Sequence, residues 1–133
     1  MRHAVDKIRS AGNDKVFVTE RGFSFGYNNL VVDMRAFPMM RALGVPVVFD
    51  VTHSLQLPGG GDGVTAGLAE YIEPLARAGV GAGVDGVFLE VHEHPSEAMS
   101  DAENALALAR LEALLDSLVR IHAVTRPQIT VSR

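Results

Sequence analysis

The sequence predicts an α/β fold on a parallel sheet, and three observations predict it. First, three segments share one plan: "AGNDKVFVTERG" (Ala11 to Gly22), "ALGVPVVFDVTH" (Ala42 to His53) and "AGVDGVFLEVHEH" (Ala82 to His94). Each opens on small residues and Gly, which end helices, then runs through Val, Phe or Leu and closes in polar side chains. Second, these apolar runs do not alternate, as suits parallel strands buried on both faces. Third, helical patterns fill the intervals, and helix–strand alternation marks the α/β class.

In chain order, residues 1–12 ("MRHAVDKIRSAG") predict a short amphipathic helix with Val5 and Ile8 on one side, then a strand over 15–22. "FPMMRALG" predicts a helix with Pro38 in its first turn and Gly44 just past its end. A strand over 46–53 follows. "GGGDGVTAG" lacks the Lys-Ser/Thr ending of a phosphate-binding loop and predicts a mobile connection able to approach a ligand closely. Next comes a helix with Leu68, Tyr71, Ile72 and Leu75 at helical spacing, Thr65 as a candidate N-cap, and Pro74 placed to kink or shorten it. "GAGVDG" (Gly81 to Gly86) precedes a strand, where a dinucleotide fingerprint would follow one. That strand spans 86–92. The last helix, over 100–123, carries a stripe of Leu106, Leu111, Leu114, Leu115, Leu118 and Ile121.

The 133 residues suffice for one domain. A net charge of −4 gives no reason to expect nucleic-acid binding, which usually requires a basic face. With no Cys, disulfides and thiolate metal sites within the chain are excluded. No run reaches the ~18 apolar residues of a membrane span, and the N-terminus has no signal-peptide core. A soluble cytoplasmic protein is the expectation. Three parallel strands do not close, however, because a barrel takes about eight. With helices on both faces, such a sheet leaves apolar edges for something else to cover.

Functional groups in such folds gather at the carboxyl ends of strands. Here those ends carry Glu20 and Arg21, then Asp50 and His53, then Glu90 and His92. Arg21 can hold a phosphate or carboxylate through two hydrogen bonds, or pair with Glu20. His53 and Glu90 can share a divalent metal, act as a base and its partner, or be structural. Strand geometry puts His92 on the same face as Glu90. Asp101 sits in "SDAENAL", where Ser100 and Glu103 have capping-box spacing, so capping alone accounts for an acid there.

Three long motifs carry a resemblance. "TERGFSFGYNNLVVDMR", "VFDVTHSLQLPGG" and "GVDGVFLEVHEHPSEAMSDAENAL" are similar to those of 3-deoxy-D-manno-octulosonate 8-phosphate synthases, and the likeness runs from Ala11 to about Ile121. It implies a (β/α)8 barrel that condenses phosphoenolpyruvate with arabinose 5-phosphate and water, releasing phosphate, on the route to lipopolysaccharide. Carried over by motif, Arg21 would bind phosphoenolpyruvate and serve catalysis with His53. His53, Glu90 and Asp101 would be three of four metal ligands in the metal-dependent branch, for Mn, Fe, Zn or a similar ion, and Asp50 would orient a ligand from behind. The "SDA" context resembles that branch, which lifts Asp101 above capping.

The resemblance also implies what this chain lacks. Family members are roughly twice as long, so 1–133 would be a single partial barrel domain: the helix after the fifth strand, then strands six to eight. The first strand, with its Cys (Asn in metal-free relatives), the substrate-gripping lysines and the sugar-phosphate loop would lie elsewhere. A start at Met1 in mid-barrel would reflect an internal start codon, a truncated gene model or a fragment. The chain alone is expected to be inactive, and a homo-oligomer is expected from the family. Two alternatives stand beside this: the sister family making an arabino-heptulosonate 7-phosphate, and a non-catalytic half-barrel that associates with itself.

Overall fold

The computed structural model describes residues 1–26, 28–58 and 66–125. Helix α1 (Arg2–Ser10) comes first and buries Val5, while Ile8 stays exposed. Two residues beyond strand β1 (Val18–Glu20), the positive φ of 81° at Gly22 turns the chain sharply. A Cβ at Gly22 would also press on the Val31 carbonyl oxygen at 3.0 Å, so glycine is required twice over. The chain then makes an antiparallel hairpin of β2 (Phe23–Phe25) and β3 (Asn29–Val31). Nothing in the sequence reading anticipated it, because its Phe-Ser-Phe strand is exposed throughout and carries no in–out pattern.

Helix α2 (Ala36–Arg41) holds Pro38 in its first turn, and Gly44 beyond its end has φ of 73°. Strand β4 (Val47–Asp50) leads through a 3-10 turn (His53–Leu55) into β5 (Gln56–Leu57), which pairs antiparallel with β6 (Ala66–Gly67). A second 3-10 turn (Ala69–Tyr71) precedes α3 (Ile72–Gly81). Pro74 therefore falls in the first turn of α3, where its missing N–H costs nothing and no kink arises. Thr65 and the triple glycine lie outside the described residues. Strand β7 (Gly86–Phe88) is followed by β8 (Val91–His92), a 3-10 turn (Pro95–Glu97), β9 (Leu106–Ala107) and α4 (Leu108–Thr125).

The main sheet is parallel, in the order β1-β4-β7, with Val18 opposite Val47 and Val48 opposite Gly86. Each strand is shorter than the sequence predicts, at 18–20, 47–50 and 86–88 rather than 15–22, 46–53 and 86–92. The cause at β4 is local: the Asp50 carboxylate accepts the His53 backbone N–H, bending the chain out of the sheet. Only β4 has the near-continuous burial expected of every strand; β1 and β7 are sheet edges. The last helix begins at Leu108 rather than at 100. Leu106 pairs in β9 with Val91 of β8, and Asp101 to Ala105 form a turn whose N–H groups at 104 and 105 bond the Asp101 carbonyl. The Ser100–Glu103 capping box has no helix to cap.

The core gathers on one face of β4. Phe49 is fully buried, stacked at a tilt on Phe37 of α2 with ring centroids 5.1 Å apart. A Cβ on Gly79 of α3 would collide with the same ring. Helices α2 and α3 thus cover one and the same face, not opposite faces. Leu114 and Leu118 extend this core from α4, whereas Leu115 is exposed.

Polar ties fix the outer elements. Glu73 accepts Arg77 at 2.7 Å and Arg110 of α4 at 2.5 Å, joining α3 to α4. Asp85 receives the Val47 N–H on its carboxylate at 2.9 Å and donates its own N–H to the Val47 carbonyl at 2.8 Å. That double contact pins β4 to β7. Among the described residues, no helix is long and apolar enough to cross a membrane.

Phe49→Ala should cost about 3–5 kcal/mol by urea denaturation, as expected for emptying a buried aromatic site. A loss below about 1 kcal/mol would contradict the core described.

Candidate metal centre and anion site

Three side chains predicted from the sequence come together at the carboxyl ends of the parallel strands. His53 follows β4 by three residues, Glu90 follows β7 by two, and Asp101 comes from the turn before β9. One ligand atom from each lies within 4.8 Å of the others. His53 Nε2 and Glu90 Oε2 are 3.2 Å apart.

The orientation of His53 follows from Asp50. This buried carboxylate meets His53 Nδ1 at 3.0 and 2.9 Å with its two oxygens, and also takes the His53 backbone N–H at 3.1 Å. A carboxylate only accepts, so the proton belongs on Nδ1. In the neutral ring, Nε2 then presents its lone pair to Glu90, acceptor against acceptor. Such a pair needs a positive species to hold it: a proton on the ring or a cation shared by both groups. Ligands bonded to one metal at about 2.1 Å sit about 3.0–3.4 Å from each other. The observed 3.2 Å fits, and one imidazole with two carboxylates suits ions such as zinc, manganese or iron.

Thr52 joins the two strands behind this pair, and the sequence reading missed it. Its hydroxyl lies 3.5 Å from Asp50 Oδ1 and accepts the Glu90 N–H at 3.2 Å. The side chain is completely buried. A hydroxyl is needed because it donates one way and accepts the other. The signal was present in "DVTH", as a polar residue between two others at a strand exit.

Asp101 takes part through an uncommon backbone, with a positive φ of 52°. Residues other than glycine rarely hold that conformation, and those that do cluster at functional sites. Its Oδ1 accepts a hydrogen bond from Gln56 Nε2 at 2.6 Å.

Arg21, the first residue after β1, does not pair with Glu20. Glu20 instead accepts the Gly22 N–H at 2.5 Å, and the Arg21 guanidinium donates to Gln56 Oε1 at 2.7 Å. The structure therefore brings Arg21, His53, Glu90 and Asp101 to one end of the sheet, with Asp50 beneath His53. It leaves His92 out. The strand has ended at Phe88, and His92 belongs to β8, where its Nδ1 accepts the His94 N–H.

A model of the DAHP synthetase I family matches residues 1–125. The chain belongs to the DAHP synthetase I family. Curated proteins from Trichlorobacter lovleyi and Pelobacter propionicus, both named 2-dehydro-3-deoxyphosphooctonate aldolase, are each 56% identical over 126 residues. The match takes in 95% of this chain and 46% of theirs. A protein of the same name from Desulfotalea psychrophila is 52% identical over 123 residues, 92% of this chain and 44% of its own. The chain spans about half the length of the curated relatives it matches.

Replacing Asp50 with Ala should free the His53 ring to take its proton on Nε2. Nitrogen-15 spectra of the imidazole will report this, and a wild-type ring already protonated only on Nε2 would contradict the arrangement.

Proposed function

We propose that this chain supplies the cation-binding end of a 3-deoxy-8-phosphooctulonate synthase, an enzyme that joins phosphoenolpyruvate to arabinose 5-phosphate. The carrying observation is the convergence of His53, Glu90 and Asp101 at the strand ends, with Arg21 linked to the same cluster. The relatives' shared name supports the octulosonate product over the heptulosonate one, although the family model bears the latter's name.

In this reading the reaction forms a bond between the enol carbon of phosphoenolpyruvate and the sugar aldehyde. Water adds to the resulting cationic carbon, a proton leaves, and the carbon–oxygen bond to phosphate breaks. Arg21 neutralises the anionic substrate with a guanidinium that cannot lose its charge. His53, Glu90 and Asp101 would hold a divalent ion, which when bound polarises a carbonyl or acidifies a water. Asp50 fixes the ring orientation that lets His53 be a ligand.

The fold reading is the C-terminal part of a (β/α)8 barrel, with β1, β4 and β7 as barrel strands six to eight. It rests on the parallel order, on both edge strands lacking partners among the described residues, and on functional groups at the carboxyl ends. The remaining strands, the phosphoenolpyruvate lysines and a fourth metal ligand would come from the other part of the barrel. We place the assembled enzyme in the cytoplasm as a homo-oligomer serving lipopolysaccharide synthesis.

Manganese ion should raise the unfolding midpoint of the protein, and Glu90→Ala should abolish the rise, since a ligand that binds only the native state stabilises it. An equal rise in both proteins would overturn the assignment of the site. A 133-residue polypeptide of this sequence, tested by phosphate release at high concentration, is expected to show no turnover. Turnover like that of a complete synthase would refute the partition of the active site.

A further inference from the structure

Gln56 is the residue at this site that neither strand-end position nor motif singled out. It stands in β5, where backbone pairing with Gly67 of β6 holds its Cα in place. Its side-chain oxygen accepts from Arg21 Nη2 at 2.7 Å, and its side-chain nitrogen donates to Asp101 Oδ1 at 2.6 Å. The two partners leave no freedom in how the amide is placed, because a guanidinium only donates and a carboxylate only accepts.

No other side chain of this length satisfies both. Glu would pair with Arg21 but repel Asp101; Lys would do the reverse; Leu would reach neither. The amide thus spans, by two charge-assisted hydrogen bonds, from the group suited to a substrate anion to a carboxylate suited to a cation. Moving one end of such a link moves the other. A cation that draws on Asp101 alters where Gln56 holds Arg21, and an anion that draws on Arg21 alters where Gln56 holds Asp101.

We infer that Gln56 is a positioning residue that couples anion binding at Arg21 to cation binding at His53, Glu90 and Asp101. The inference rests on the proposed function for its two ligands, and adds that the two sites respond to each other through this one amide.

The test is calorimetric titration of the complete protein with manganese ion and with phosphoenolpyruvate, each alone and each in the presence of the other. In the wild type, each ligand should tighten the other by about fivefold or more, and by the same factor in both directions. Gln56→Leu should shrink that factor to below about twofold while manganese alone still binds. Gln56→Glu should weaken phosphoenolpyruvate alone by about tenfold or more, because it neutralises Arg21. The Glu variant also decides the matter should the Leu variant fail to fold: unchanged phosphoenolpyruvate affinity overturns the link. Equal coupling in wild type and Gln56→Leu, or no coupling in a wild type that binds both ligands, overturns this inference and leaves the proposed function standing. A wild type that fails to take up manganese, or fails to take up phosphoenolpyruvate, overturns the proposed function and this inference with it.

Discussion

The pairing of β4 between β1 and β7 is the constraint on which the rest depends. Among the described residues it is the one strand of the main sheet with a neighbour on each side. Phe49 projects from it into the helices, while its exit carries Asp50, Thr52 and His53. Parallel pairing brings the ends of all three strands to the same edge, so residues distant in sequence meet there with only short turns to place them. The imidazole meets the carboxylate of Glu90, and the guanidinium of Arg21 joins the same end of the sheet through Gln56, because β4 lies between the other two strands.

Much of this was legible in the sequence, for reasons that differ by residue. The runs around Val18, Phe49 and Val87 announced strands because unbroken apolar stretches have little other use. His53 and Glu90 stood out by position, at strand exits where such folds gather functional groups, although each alone could equally be structural. Strand lengths were overestimated where side chains bend the backbone: the extent of β4 is set by Asp50 accepting the His53 N–H, a contact that apolar patterning does not encode. The start of α4 was misplaced because Ser100 and Glu103 mimic a capping box, while pairing of Leu106 with Val91 draws the segment into extended form first. The hairpin after Gly22 stayed hidden because its apolar residues face outward.

Among the site residues, those missed were the connectors. Thr52 and Gln56 contribute no charge and match no ligand pattern. Each is nonetheless a donor and an acceptor at once, placed between groups that can only do one or the other. Charged groups announce themselves by type, whereas the neutral groups that set their spacing become visible only when distances are known. Asp101 is intermediate: its identity was found by motif, but its left-handed backbone came from the fold.

The ladders that build the site are only three rungs long. A ladder this short discriminates weakly between the native register and its neighbours. Sliding β7 along β4 by two residues would keep every side chain on its proper face, yet carry Glu90 about 6.6 Å away from His53. Apolar packing alone penalises that slip little; the Asp85–Val47 clasp opposes it at one end of the strands, and a cation shared by His53 and Glu90 would oppose it at the other. With a cation bound there, the cluster would thereby act as a proofreader of strand alignment, favouring chains that have folded in register.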